Sequence, residues 1–194
     1  MIRHHLVLAA ALLASSAALA AKAPKIPVAP PSAAACAECH GANGVAGAAS
    51  VPHLNGQIPD NIVEALEQFR AGKRPSSAPV HTNPDLPSPE MEALARFYGA
   101  QRAQRPAQPV DEAKVSAAAA VYERRCAKCH LEGGRESDHE APLLAGQSLE
   151  YLQAQTAAFV SGKRKFPFLM DEAYQGLTAD DLDRLSHYFA SQKQ

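Results

Sequence analysis

Two short stretches decide the fold of this chain: Cys36-Ala-Glu-Cys39-His40 and Cys126-Ala-Lys-Cys129-His130. They share the pattern C-x-x-C-H, lie ninety positions apart and contain all four cysteines of the 194 residues. This is the attachment pattern of c-type haem: two thiols form thioethers with one porphyrin, and the imidazole that follows reaches the iron. The sequence therefore predicts two covalently bound haem c groups.

Other interpretations of the four cysteines fit less well. An exported chain would normally use them in two disulfides, but only two residues separate the members of each pair. A zinc site needs four ligands in one place, and a redox C-x-x-C motif does not require the histidine that follows. We therefore assign Cys36, Cys39, Cys126 and Cys129 to the haem thioethers, with His40 and His130 as proximal iron ligands.

The N-terminal segment has the features of a signal peptide over residues 1–20. Arg3 precedes an apolar run too short to span a bilayer comfortably, and Ala18-Leu19-Ala20 has the form of a cleavage site. A retained membrane anchor is the alternative. We expect a periplasmic protein with no membrane span in the mature chain, for which peripheral membrane association stays open. A formal net charge of −1 argues against a nucleic-acid partner.

The ninety-residue offset extends beyond the motifs, so the chain is a tandem duplication. The shared residues lie in a loop after each motif, at the end of a middle helix and, after an offset change of one, in a final helix. They are Pro52, Leu54, Gly56 and Gln57 against Pro142, Leu144, Gly146 and Gln147; Phe69, Gly72, Lys73 and Arg74 against Phe159, Gly162, Lys163 and Arg164; and Leu94, Phe97, Tyr98 and Gln101 against Leu185, Tyr188, Phe189 and Gln192. We predict domains over residues 24–101 and 112–194, joined by a polar linker over residues 102–111.

Apolar residues recur at helical spacing in both halves, and no stretch has the pattern of a strand. We predict a helix over residues 112–125, a shortened one before Cys36, and a middle and a final helix in each half. Ser88-Pro89-Glu90 and Thr178-Ala179-Asp180-Asp181 carry the residues of helix N-terminal caps. Aromatic residues make up only 6% of the chain, so we expect a porphyrin to complete each small core.

The order of helix, C-x-x-C-H, P-x-L-x-G-Q, helix, methionine loop and final helix resembles class I cytochrome c domains. The duplicated form is similar to dihaem cytochromes of the cytochrome c4 type and to the dihaem cytochrome subunit of flavocytochrome c sulfide dehydrogenase. CAECHGANG in the first half resembles the former, and CAKCHLEGGR in the second half resembles the latter. The resemblance implies an all-α fold of two tandem class I cytochrome c domains.

The resemblance also implies roles for residues around each iron. Pro52 and Pro142, each twelve residues after its histidine, match the proline whose backbone carbonyl orients the proximal ligand; alternatively they only shape a loop. Met170 matches the distal methionine of the family, and a gap-filling core residue is its alternative. Methionine–histidine ligation raises the haem potential.

The first half has no methionine in the matching loop. Met91 lies in the final helix and is expected in the core, so His81 is the candidate distal ligand of the first haem. A surface histidine on a flexible loop is the alternative, and it would leave an iron able to bind small ligands. His53, which replaces Leu143 of the second half, is expected beside the haem or at the surface rather than on the iron.

Basic residues end the middle helix of each half: Lys73 and Arg74, then Lys163, Arg164 and Lys165. They fit a cationic helix C-terminus, and equally propionate pairing or docking to an acidic partner.

An iron with both axial positions filled by protein moves single electrons. The sequence thus predicts an electron-transfer protein rather than an enzyme, which accepts electrons from a dehydrogenase or quinol-oxidising donor and passes them to a terminal acceptor. One alternative is the cytochrome subunit of a flavoprotein–cytochrome complex such as sulfide dehydrogenase. The other is a haem enzyme or sensor with an open iron in the first half.

Overall fold

The computed structural model describes residues 25–83, 85–138 and 141–194. The predicted signal peptide lies outside the described residues. Every regular element in those ranges is helical, as the sequence predicted. In the first half they are α1 (Ala33–His40), α2 (Pro59–Arg70), a 3-10 turn (Pro79–Thr82) and α3 (Ser88–Gly99); in the second half they are α4 (Glu112–Arg125), α5 (Leu131–Gly134), α6 (Leu149–Val160), α7 (Phe168–Tyr174) and α8 (Ala179–Ser191).

The helix before the motif differs most between the halves. In the second half α4 runs for 14 residues and ends just before Cys126, and Asp111 caps it by accepting bonds from the Ala113 and Lys114 amides. In the first half α1 has only 8 residues and contains the motif itself. The shortened first helix is therefore confirmed.

Of the two predicted helix caps, one is confirmed and one is wrong. Thr178 and Asp181 form a reciprocal capping box at the start of α8. Ser88, by contrast, is the first residue inside α3 and makes no capping bond. Pro87 precedes it in an extended conformation and already sets where the helix starts, so the Ser88 hydroxyl lies too far along the helix to cap it.

Each half buries its own apolar cluster between its helices. In the first half α1, α2 and α3 meet around Ile62, Leu94 and Tyr98, and Met91 is only 1% exposed. The expectation that Met91 is a core residue is therefore confirmed. In the second half α4, α6 and α8 meet around Tyr122, which stacks on Tyr188 at 4.6 Å between ring centroids.

A glycine in the left-handed region folds the loop after each motif back onto the histidine. Gly44 has φ +82° and Gly134 has φ +87°, a conformation that a residue with a Cβ adopts at a cost. Each glycine carbonyl accepts two backbone bonds from further along the loop, Gly44 from Leu54 and Asn55 and Gly134 from the equivalent pair. These turns bring the following proline beside the histidine.

The segment predicted as a linker lies along the junction between the halves. Asn55 donates to the carbonyls of Arg102 and Gln104 at 2.8 and 3.0 Å, and Arg105 donates to the Ala145 carbonyl at 2.6 Å. Arg105 is only 8% exposed. The connecting segment therefore binds both halves. None of the helices in the described ranges is long and apolar enough to cross a bilayer.

Candidate haem-binding sites

The four cysteines and two histidines of the motifs lie within α1 in the first half and directly after α4 in the second half. All four cysteines are free thiols, as thioether formation with a porphyrin requires. Burial raises the pKa of Cys126 to about 11, and it also raises the pKa of Cys36. His40 and His130 are 7% and 6% exposed and lie at the edges of the two cores.

The second motif is held in place by Tyr122, four residues before Cys126. The Tyr122 hydroxyl donates to the His130 carbonyl at 2.8 Å and accepts from the Gly133 amide at 2.8 Å. It therefore joins α4 to the turn that follows the motif. Ser32 occupies the equivalent position in the first half and bonds instead to Glu90 of α3.

His40 and His130 each make the hydrogen bond that the sequence analysis expected of a proximal ligand. The Nδ1 atom of His40 lies 2.9 Å from the Pro52 carbonyl, and that of His130 lies 3.0 Å from the Pro142 carbonyl. A carbonyl only accepts, so Nδ1 carries the proton and Nε2 keeps its lone pair. Burial lowers the pKa of both histidines, which favours the neutral ring that binds a metal.

On the distal side of the first half, His81 lies across from His40. The two ring centroids are 5.9 Å apart. The His81 ring stacks on Phe69 at 4.6 Å, and its Nδ1 is 2.7 Å from the Ser76 hydroxyl. Burial, followed by the positive charges of His40 and Arg74, lowers the pKa of His81. His81 is therefore half-buried against Phe69, and the choice between a distal ligand and a surface histidine stays a prediction.

The distal side of the second half is built differently. Phe166, rather than a histidine, stacks on Phe159 at 4.4 Å, and Tyr174 packs against Phe166 at 4.2 Å. Met170 lies in α7, which the sequence analysis had treated as an irregular loop, and it is half-buried. Pro167 precedes α7 directly and ends the extended segment where this helix begins.

The basic residues after each middle helix divide into exposed lysines and covered arginines. The Arg74 guanidinium lies 4.8 Å from the Phe69 ring centre, and that of Arg164 lies 4.4 Å from the Phe159 ring centre. Arg74 also donates to the Tyr151 hydroxyl of the other half. The arginines are thus packing residues at the junction, whereas Lys73, Lys163 and Lys165 stay in solvent.

His53 is buried and serves the structure of the first half. Its Nδ1 accepts a hydrogen bond from the Ala46 amide at 3.0 Å, and its side chain is 6% exposed. Burial, then the charges of Arg105 and His40, lowers the pKa of His53 to about 4. His53 is therefore neutral near pH 7, and the surface position considered for it from the sequence is wrong.

The sequence analysis assigned no role to Gln57 and Gln147, although both were in the repeat. Gln57 exchanges two hydrogen bonds with the backbone of Leu143 in the other half, at 3.1 and 2.8 Å. Gln147 does the same with His53, at 2.8 and 2.9 Å. The repeat itself could have pointed to these residues, because both halves carry the same polar residue directly after the shared glycine, at Gln57 and Gln147.

Comparisons with known proteins identify the class. The cytochrome c family model matches residues 115–193. The chain is 34% identical over 161 residues to the thiosulfate dehydrogenase electron acceptor of Stutzerimonas stutzeri (strain A1501), a match that covers 74% of this chain and 72% of that protein. The protein therefore belongs to the cytochrome c family.

Solved structures narrow the class to dihaem electron-transfer cytochromes. Cytochrome c4 of Acidithiobacillus ferrooxidans matches with a TM-score of 0.69 at 25% identity, covering 81% of this chain and 99% of that chain. The thiosulfate dehydrogenase (TsdBA) of Marichromatium purpuratum matches with a TM-score of 0.68 at 32% identity, covering 81% of this chain but 36% of that chain. The all-α fold of two tandem class I cytochrome c domains and the two covalent haem c groups are thereby confirmed. The protein is an electron-transfer protein rather than a catalytic enzyme.

Proposed function

We propose that this protein is an exported, periplasmic dihaem cytochrome that relays single electrons from a sulfur-compound dehydrogenase to a terminal acceptor. One domain spans residues 24–101, the other spans residues 112–194, and residues 102–111 link them. The observation that carries the proposal is the repeated proximal arrangement. In each half a C-x-x-C-H motif presents free thiols and a histidine whose Nδ1 is engaged by a proline carbonyl.

Cys36 and Cys39 would hold the first haem through thioethers, and His40 and His81 would ligate its iron. The distance between the two rings supports this assignment. A metal–imidazole bond is about 2 Å long and the ring centre lies roughly 1 Å beyond the nitrogen, so two imidazoles on opposite sides of one metal have centroids about 6 Å apart. The observed separation is 5.9 Å. Ser76 engages Nδ1 of His81 and leaves Nε2 for the iron.

Cys126 and Cys129 would hold the second haem through thioethers, and His130 and Met170 would ligate its iron. What supports Met170 is its place in the chain. The 3-10 turn that contains His81 follows α2, and α7 follows α6 in the same way. Met170 lies in the first turn of α7. Pro52 and Pro142 orient the two proximal histidines through their carbonyls.

Bound haem supplies an iron centre that accepts and releases one electron at a time. The chain fills both axial positions and sets the two potentials apart, because a methionine ligand raises the potential of a histidine-ligated haem. The second haem is therefore the stronger electron acceptor.

The donor is a dehydrogenase that oxidises thiosulfate. What supports this donor is the 34% identity to a thiosulfate dehydrogenase electron acceptor and the 32% identity to part of a thiosulfate dehydrogenase. The sulfide-oxidising flavoprotein considered from the sequence is a different donor that also oxidises an inorganic sulfur compound. In either case the partner performs the sulfur chemistry and this chain removes the electrons.

Stopped-flow reduction of the holoprotein tests the proposal. The purified protein should contain two haems for each chain by pyridine haemochrome assay, and thiosulfate should reduce it only when a thiosulfate dehydrogenase is present. A flavoprotein sulfide dehydrogenase with sulfide serves as the matched alternative donor. Faster reduction by the flavoprotein would overturn the donor assignment, and a single haem for each chain would overturn the relay.

A further inference from the structure

The two halves are joined by a reciprocal pair of glutamine contacts. Gln57 donates from Nε2 to the Leu143 carbonyl at 3.1 Å and accepts at Oε1 from the Leu143 amide at 2.8 Å. Gln147 makes the same two bonds with His53, at 2.9 and 2.8 Å. His53 and Leu143 are repeat equivalents, so the arrangement has pseudo-twofold symmetry.

Each glutamine bonds to the same peptide unit that orients the proximal histidine of the other half. The carbonyl of the Pro52–His53 peptide faces His40 Nδ1 at 2.9 Å, and the amide of that peptide donates to Gln147. The carbonyl of the Pro142–Leu143 peptide faces His130 Nδ1 at 3.0 Å, and its amide donates to Gln57. One planar peptide therefore separates each proximal imidazole from a side chain of the opposite domain.

The glutamine side chains are fixed as well as buried. Gln57 is 9% exposed and Gln147 is 3% exposed. Each Oε1 also accepts the backbone amide of the next residue, Ile58 at 3.2 Å and Ser148 at 2.9 Å, beside the starts of α2 and α6. Because buried hydrogen-bonded groups polarise one another, an acceptor on the peptide amide strengthens the bond that the peptide carbonyl makes.

We propose that Gln57 and Gln147 are cross-domain positioning residues: each tunes the proximal histidine of the haem in the other half. This inference rests on the proposed function, since it takes His40 and His130 as iron ligands. With the glutamine present, the proline carbonyl accepts more strongly from Nδ1–H, and the imidazole becomes a better donor to iron. A more basic ligand favours the oxidised iron, so each glutamine lowers the potential of the opposite haem.

Redox titration of the dihaem protein followed by NMR tests the inference. Each haem is assigned through its contacts with its own C-x-x-C-H segment, so the potential and the axial-histidine resonances are measured for each half separately. Gln57→Met keeps the side-chain length but removes both hydrogen-bonding groups. It should raise the potential of the second haem and shift the His130 ring signals, with a smaller effect on the first haem. Gln147→Met should do the reverse.

Gln101→Met is the matched control, because the Gln101 side chain donates to the Phe97 carbonyl of α3 within the same half. It should move neither potential. If the methionine variants do not fold, Gln57→Asn and Gln147→Asn keep a polar group that is too short to bridge the junction, and the same crossed shifts are expected. Shifts confined to the haem of the mutated half, equal shifts of both haems, or no shift would overturn the inference. A parent protein without two titrating haems would instead overturn the proposed function.

Discussion

The two halves of this protein are alike on the proximal side of each haem site and unlike on the distal side. The histidine-to-proline hydrogen bonds differ by only 0.1 Å between the halves, at 2.9 and 3.0 Å. Across the site, Phe69 stacks on His81 whereas Phe159 stacks on Phe166. The contact between each motif histidine and its proline is thus the same in both halves, and the aromatic contacts across the site differ.

The halves also differ in how tightly the backbone packs behind the motif. A Cβ at Gly44 would lie 2.6 Å from the Asn55 amide nitrogen, whereas one at the equivalent Gly134 would come no closer than 3.1 Å to any atom. Gly56 and Gly146 show the same contrast, with nearest atoms at 2.2 and 3.1 Å. The loop after the motif is therefore packed more closely at Gly44 and Gly56 than at Gly134 and Gly146.

The largest expected effect concerns His81, the proposed distal ligand of the first haem. His81→Ala should open the sixth position of that iron, so the reduced variant should bind one CO per chain while the parent binds little. Absorbance changes during CO titration measure this. Val80→Ala, next to His81 in the same 3-10 turn, is the control and should behave as the parent. Stoichiometric CO binding by the parent would favour the sensor or enzyme alternative.

The next effect compares the two loop glycines. Gly44→Ala and Gly134→Ala both place a Cβ at positive φ, which costs about 1–2 kcal/mol. Only Gly44→Ala also drives that Cβ against backbone, and overpacking of this kind adds about 1–3 kcal/mol. Urea unfolding followed by circular dichroism should therefore show the greater loss for Gly44→Ala. Equal losses would mean that the first half is no more tightly packed than the second.

A third effect is specific to the second half. Tyr122→Phe removes the hydroxyl that bridges the His130 carbonyl and the Gly133 amide. Leaving buried groups without a partner costs about 1–3 kcal/mol, so the free energy of unfolding should fall by that amount. Tyr188→Phe, in the ring that stacks on Tyr122, is the control. A loss no larger than that of the control would contradict the bridging role.

The smallest effect concerns acid stability. Ser32 donates twice to Glu90 and lowers the pKa of that carboxyl, and Thr178 likewise lowers the pKa of Asp181. A depressed folded-state pKa contributes stability above the unfolded pKa of about 4, which is lost as the pH falls through the folded value.

Thr178→Ala should lower the free energy of unfolding by about 1 kcal/mol at neutral pH. The loss should be smaller in acid, because the Asp181 carboxylate that accepts from the Thr178 hydroxyl is then protonated in the parent protein. Ser32→Ala should follow the same pH trend in the first half. Unfolding free energies measured between pH 7 and pH 2 give both profiles. A loss that does not change with pH would show that these carboxylates do not drive the acid sensitivity.

Much of the fold and the proximal side could be predicted from sequence. The motif fixes two thiols and a histidine within five residues, and the repeat locates Pro52 and Pro142, because the chemistry constrains residue type at short spacing. Thr178 and Asp181 were recognisable as a cap for the same reason.

What the sequence did not predict depends on contacts between distant segments. Gln57 and Gln147 act across the junction, on residues 86 and 94 positions away, and nothing local to either glutamine specifies its partner. His53 and Arg74 were ambiguous because their burial comes from the docking of one half onto the other. Helix α7 was missed since its seven residues are too short for a periodic apolar pattern to emerge.

A potentiometric titration of the holoprotein, with the weak long-wavelength Met–Fe absorption band recorded throughout, tests the central claim most directly. Unlike distal ligands predict two well-separated one-electron steps, with that band belonging only to the haem of higher potential. Two steps of nearly equal, high potential that both carry the band would contradict the assignment of His81, and with it the asymmetric relay.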